Sequence, residues 1–213
     1  MKVIIYVEGP SDASGLRELF RDLTAAKEEQ GVRISFVPAH DGEGDHQNWL
    51  LTHALKKAVN ILRNDPQSRV AVAPDLTPPN RVFPHGTADE LVSGVQERFQ
   101  RELKNRDADP RLQERFAVFC FQFEFEVLLL AAEDALRAHL QSQDLKCAWT
   151  RPVEQQNHGR PPRDVIQELF RAHGAPYDRV LTPAQVLRIA SIADLRKACP
   201  QCFAPFVDFL ENA

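Results

Sequence analysis

Hydrophobic positions fall in short blocks that alternate between two periods. Lys2 to Val7 is a β-branched run bounded by Glu8-Gly9-Pro10, which predicts a buried strand. Ser11 follows as an N-cap, and Leu16, Leu19, Phe20 and Leu23 recur at helical spacing. That pattern predicts a helix to about Gln30, stopped by Gly31. Val32 to Val37 reads as a second strand, and Pro38 to Asp45 as a loop holding Asp41, Glu43 and Asp45. Leu50, Leu51, Ala54, Leu55, Ala58, Val59 and Leu62 mark a second helix, ended near Asn64-Asp65-Pro66. A third strand runs from Arg69 to Ala73 and stops at Pro74-Asp75; a proline-rich loop, Leu76 to Gly86, comes next. Thr87 caps a helix with Leu91, Val95, Phe99 and Leu103 on one stripe, broken at Asp107 to Pro110. Phe116 to Phe121 reads as a fourth strand and Glu126 to Leu140 as a helix.

Strands that alternate with helices across short loops predict parallel pairing through right-handed crossovers. The expected fold is therefore α/β, an open, mostly parallel sheet with helices on both faces. The pattern changes near Asp144. A polar segment, Arg151 to Pro162, precedes short helices at about Pro162–Ala172, Pro183–Ile189, Ile192–Ala198 and Cys202–Glu211. The expected division is a sheet domain over 1–143 and a helical appendage packed on it over 144–213.

Composition narrows this only a little. The chain has 213 residues, 43% hydrophobic and 26% charged, enough to bury a core without staples. A net charge of -4 excludes a generic polyanion binder, so contact with nucleic acid requires a local basic patch or bridging cations. Cys120, Cys147, Cys199 and Cys202 are too few and too scattered for a disulfide framework, and Cys120 reads as a core residue. No stretch reaches the ~18 apolar residues that span a bilayer, and the first apolar run is too short for a signal peptide. These features predict a cytoplasmic protein with no membrane partner.

The acids give the pattern its chemistry. Open parallel sheets build sites outside the carboxyl ends of their strands. Glu8 follows the first strand, Asp75 the third, and Glu124 and Glu126 the fourth. Acids there are also ordinary helix caps and loop residues. For Glu8 the functional reading is favoured, because a carboxylate at a buried strand end is costly, and for Asp75 because it ends an apolar strand and opens the long proline loop. Glu124 and Glu126 alternate with Phe123 and Phe125 and so share a face; one reads as a ligand and the other as a helix-start acid. Asp41, Glu43 and Asp45 read as a solvated loop, Asp12 as part of the first helical turn, and His40 and His46, which flank the acidic loop, as candidates for proton transfer. His85 and His158 read as solvated loop residues. Carboxylates that converge repel one another unless a cation offsets them, and Mg²⁺ suits an all-oxygen set. Cys199-Pro-Gln-Cys202 has zinc-type spacing without a second pair. Arg151, His158, Arg160 and Arg163 read as a phosphate contact or as plain solvated surface.

These residues resemble a known group. Val7-Glu8-Gly9-Pro10-Ser11-Asp12 is similar to the glutamate element that opens Toprim domains, as in topoisomerases, primases and overcoming-lysogenization-defect (OLD) nucleases. With Val72-Ala-Pro-Asp75, Phe123-Glu-Phe-Glu-Val-Leu-Leu129 and the tail segments around Arg160, Tyr177 and Leu195, the chain resembles a bacterial Toprim-like family of unknown function. Genes of that family often stand beside AAA-type ATPases in phage-defence operons. The resemblance implies a Toprim-like fold with a divalent-metal site, Mg²⁺ or Mn²⁺. Glu8 is then the general acid or base or a ligand, Asp75 a ligand, and Glu124 and Glu126 the acidic segment. The usual second acid after the strand-three aspartate is missing, since Leu76 and Thr77 follow Asp75.

The leading expectation is a Mg²⁺-dependent nuclease acting in phage defence. The alternative is a catalytically silent interaction subunit docked on an ATPase.

Overall fold

The computed structural model describes residues 1–39, 45–77, 85–156 and 159–213. Four parallel strands form one sheet: β1 (Lys2–Val7), β2 (Arg33–Pro38), β3 (Ser68–Ala73) and β4 (Phe116–Val118), in spatial order β2-β1-β3-β4. This is the α/β class that the strand-helix alternation predicts. The strand order reverses direction at β1, so the crevice between the carboxyl ends of β1 and β3 is the topological switch point.

Alternation along the strands sorts side chains into two apolar layers. Val3, Ile5 and Val7 of β1, with Ala71 and Ala73 of β3, face one layer. Tyr6 of β1 and Val70 and Val72 of β3 face the other. The second layer is covered by α4 (Leu55–Asn64) and α5 (Ala88–Asn105), the crossovers into β3 and β4. The first is covered by α1 (Pro10–Leu19) and by helices from the far end of the chain, namely α6 (Val127–Ala131), α7 (Glu133–Leu140), α8 (Pro162–Ala172), α9 (Leu181–Leu187) and α11 (Phe203–Glu211). Phe206 alone meets the rings of Phe20, Phe36, Phe119, Phe121 and Phe203. Burying each such ring contributes roughly 2–3 kcal/mol. The short helices α2 (Arg21–Glu29), α3 (His46–Trp49) and α10 (Ile192–Ala198) are the other α-helices among the described residues.

Several element boundaries differ from the sequence reading. The first helix begins at Pro10 with Gly9 as its cap, so Ser11 lies inside the first turn, and it breaks at Phe20 into α1 and α2. Phe20 is fully buried, and its ring's place in the core takes precedence over helical continuity. The second helix starts earlier, at His46, and passes through a π turn, Leu50–Ala54, into α4. The fourth strand ends at Val118, with a single further bridge between Asp75 and Phe121. The helix expected over Glu126–Leu140 is broken at Ala132. His85, expected in solvent, is buried, with its Nε2 within 3.0 Å of the Leu76 carbonyl oxygen. Asp41, Glu43, His40, His158 and most of the proline-rich loop lie outside the described residues. No helix among the described residues is long and apolar enough to cross a membrane.

Gly15 is a point of close approach between α1 and its neighbours. A Cβ built there would stand 3.0 Å from Phe125 Cζ and 3.1 Å from Leu187 Cδ1. Both of those side chains are buried and have nowhere to retreat. Gly15→Val is therefore expected to lose about 1–2 kcal/mol, overpacking outweighing the gain in helix propensity. Urea denaturation checks this, and an unchanged midpoint would show that the α1–α9 contact yields.

Candidate metal centre at the switch point

Two local features bring the acids together. β1 ends at Val7, so Glu8 emerges directly at the switch point. Pro74 ends the β3 ladder, yet pairing with the chain after β4 continues in irregular form. Leu76 N–H donates to the Phe121 carbonyl at 3.1 Å, and Thr77 N–H and Oγ1 donate to the Phe123 carbonyl at 2.9 and 2.8 Å. These bonds hold Asp75 beside the segment that carries Glu124. Phe123 itself sits at φ 68°, left-handed backbone that a bulky residue adopts only under constraint. Glu124 and Glu126 therefore do not alternate along a strand, as the sequence pattern suggests. They share a partner instead, Arg163 near the start of α8.

The contacts are specific. Asp75 N–H donates to Glu8 Oε1 at 3.0 Å. The buried amide of Gln47 donates to the Asp75 carbonyl at 3.0 Å, and His46 Nδ1 lies 3.1 Å from the Glu8 carbonyl oxygen. Asp12, one helical turn beyond Glu8, accepts from Gly9 N–H at 3.0 Å and from Ser11 Oγ at 2.8 Å. Arg163 N–H donates to Glu124 Oε2 at 3.0 Å and its Nε to Glu126 Oε1 at 3.0 Å. Asp75 is 6% exposed, and its Oδ1 is buried with no hydrogen-bond partner.

The charges feel one another. Burial raises Asp75 well above the usual carboxylate range, and Glu8, Asp12, Glu126 and Glu124 push it further in that order. Glu8 keeps a partly exposed edge, but the protein encloses its carboxyl group. Burial, then Asp12, push it up to about 8 against the pull of the Asp75 N–H. Asp12 is pushed up to about 6, chiefly by burial, although the Gly9 N–H and Ser11 hydroxyl oppose this. Burial also raises Glu124, against the pull of Arg163. For Arg163, burial favours the neutral form, but Glu126, Glu124 and Asp75 outweigh it and the guanidinium stays charged.

The structure thus places Glu8, Asp75, Glu124 and Glu126 near enough for their charges to act on one another at the switch point, and adds Asp12, which by sequence reads only as part of the first helical turn. The signal for Asp12 was its spacing, four residues from Glu8 across a helix start. Arg163 reads in the sequence as a phosphate contact or as solvated surface, whereas in the fold it is an internal partner of two acids. Nothing in the sequence marks Gln47. Arg151 pairs with Glu133, and Arg160 with Glu168 at 2.5 Å, so neither reaches the crevice acids. Asp45 accepts from Asn48 N–H at the start of α3 and also raises the Glu8 carboxyl.

Raised acid pKa values fix a sign. A carboxyl that ionises later in the folded chain than in the unfolded one favours folding below pH ~4.5, and this contribution is lost as pH rises through the folded value. For Glu8 and Asp12 that window runs up to about 8 and about 6. His139, lowered by burial, acts in the opposite sense around its ordinary value. In EDTA, the urea midpoint is expected to fall between pH 5 and 8, and Glu8→Gln is expected to flatten that fall. A midpoint that rises across this range would show that the acids are not held protonated.

The fold and crevice define a parallel α/β protein with carboxylates gathered at its switch point. The chain belongs to the family described as Domain of unknown function (DUF4276), whose model matches residues 7–211. Among solved structures, it is similar to the C-terminal region of the Burkholderia pseudomallei OLD protein, with TM-score 0.47 and 15% identity over 99% of this chain and 96% of that one. It is also similar to the C-terminal region of the Xanthomonas campestris pv. campestris OLD protein, with TM-score 0.43 and 14% identity over 97% of this chain and 94% of that one. No curated protein matches.

Proposed function

We propose that the protein is a divalent-metal-dependent nuclease, a hydrolase of phosphodiester bonds in nucleic acid. The observation that carries this reading is the buried Asp75 Oδ1, unpartnered in a crevice shared with Glu8, Asp12, Glu124 and Glu126. Such an arrangement is costly without a cation, and an all-carboxylate set fits Mg²⁺ or Mn²⁺. Asp75, Asp12, Glu124 and Glu126 would hold the ion. A cation there supplies positive charge that offsets the charge developing on a phosphoryl group. Glu8, whose Oε1 is held by the Asp75 N–H at the end of β1, takes or gives the proton of the attacking water. Asp75 N–H and the Gln47 amide fix Glu8 and the Asp75 backbone, so the proton moves at a defined place. The likeness of Val7 to Asp12 to the Toprim element supports the same reading, and with it a role in phage defence beside an AAA-type ATPase.

One observation favours a second reading, a catalytically silent subunit of such an ATPase. Arg163 already neutralises part of the acidic set. Incubation with plasmid, linear DNA and tRNA, with Mg²⁺ or Mn²⁺, alone and with the ATPase encoded nearby, separates the two. Metal-dependent cleavage supports the nuclease. Stable ATPase binding with no cleavage under any condition supports the silent subunit.

A further inference from the structure

Outside the crevice, one group of chemistry-bearing side chains stands apart. Glu154, Cys199 and Cys202 are all buried, and one ligand atom from each lies within 4.8 Å of the others. Glu154 belongs to the 3₁₀ turn Val153–Gln155, whereas the cysteines bracket the turn between α10 and α11. The sequence separates Glu154 from Cys202 by most of the tail, so only folding assembles the set.

Each member has an ordinary alternative. Two buried thiols alone are small core residues. Glu154 accepts from Gln201 N–H at 3.2 and 3.0 Å on its two oxygens and from Cys202 N–H at 2.8 Å, and so caps the start of α11. Those three bonds orient the carboxylate and use only part of its ~4 lone-pair sites, with one of its oxygens within 4.8 Å of both sulfurs. A capping role alone is met by solvent-facing Asp or Ser at many helix starts and does not require a carboxylate 4% exposed beside two thiols.

We propose that Glu154, Cys199 and Cys202 form a structural site for a borderline-soft divalent cation of the zinc class. Zn–S of ~2.3 Å and Zn–O of ~2.0 Å place donors about 3.5–3.8 Å apart around a tetrahedral ion. Closing the present spacing to that value takes about 1 Å, within the reach of side-chain rotation. Binding releases two thiol protons to solvent and leaves two thiolates, one carboxylate and the dication, a net single negative charge. The N–H groups of Gln201 and Cys202, at the start of a nine-residue helix, face that charge. Three protein donors leave the fourth position to a further oxygen or water. The ion would staple the segment that leads into α8, and hence Arg163, to the C-terminal helix.

This proposal does not depend on the crevice chemistry, and its test keeps the two apart. The full chain is purified under reducing conditions without chelator. Zinc is quantified by mass spectrometry, and Co²⁺ is titrated into zinc-stripped protein. The expected result is about one thiol-held metal per chain and a near-ultraviolet sulfur-to-cobalt charge-transfer band. Asp75→Asn is expected to keep both signals, whereas Cys199→Ser with Cys202→Ser loses the band and at least about tenfold in affinity. Zinc-stripped wild-type protein that stays folded and develops no charge-transfer band overturns the proposal. So does purification of the native chain with Cys199 and Cys202 joined as a disulfide. The cobalt titration uses the unmutated chain, so its outcome is decisive even where a variant fails to fold.

Discussion

Glu8→Gln is expected to lower metal-dependent phosphodiester cleavage by about 10³-fold, and Asp75→Asn by at least as much. The reason is positional. Glu8 leaves β1 at the switch point, and its Oε1 accepts the Asp75 N–H, so one bond ties together the ends of the two central strands. A glutamine keeps that acceptor and its shape but cannot exchange a proton. Asp75→Asn keeps the volume of a buried side chain and removes the charge on its unpartnered oxygen. Both substitutions are expected to stabilise the metal-free protein above pH 8, because each removes a like charge from an enclosed set. The gain for Glu8→Gln is at most a few kcal/mol, since the acids share protons. Cleavage assays and denaturation on the same preparations separate the effects. Loss of activity with a gain in metal-free stability is the signature of a cation site. Parental cleavage by Glu8→Gln sinks the assignment of its role, and a loss of stability in both variants makes the acids structural.

Arg163→Leu is expected to cost about 2–3 kcal/mol in the metal-free protein. The guanidinium contacts both Glu124 and Glu126, whose side chains are only 12% and 10% exposed. Removing it leaves two enclosed carboxylates without their counter-charge. Arg163 is itself 37% exposed, so solvent screens part of the interaction and the cost lies below that of a fully buried pair. Two further measurements identify the cause. Adding Glu124→Gln and Glu126→Gln to Arg163→Leu is expected to restore most of the loss, because the repulsion goes with the charges. Mg²⁺ is expected to stabilise Arg163→Leu more than the parent, since the cation and the arginine neutralise the same acids. Equal stabilisation of the two would show that Arg163 and the metal do not compete.

Period and punctuation in the sequence determined the element types. Alternating strands and helices implied a parallel sheet, and acids at or soon after the ends of three apolar strands implied a site at the carboxyl edge. Thr87 as the cap of α5 and the start of α8 at Pro162 were legible for the same local reason, because capping chemistry lies within a few residues. Where packing competes with local preference, the sequence misled. The break at Phe20, the early end of β4 and the left-handed Phe123 each place an aromatic ring or a chain reversal that only the assembled core requires.

The convergence of the acids follows from strand order, because β1 and β3 are neighbours while β2 lies outside them. Strand order is a long-range property that no local pattern carries. The same holds for Arg163 facing Glu124 and Glu126, and for Glu154 meeting Cys199 and Cys202. The sequence supplied charged and thiol side chains at element ends. Burial of the apolar faces then decided which of them share a low-dielectric space, and so which interactions are strong enough to matter.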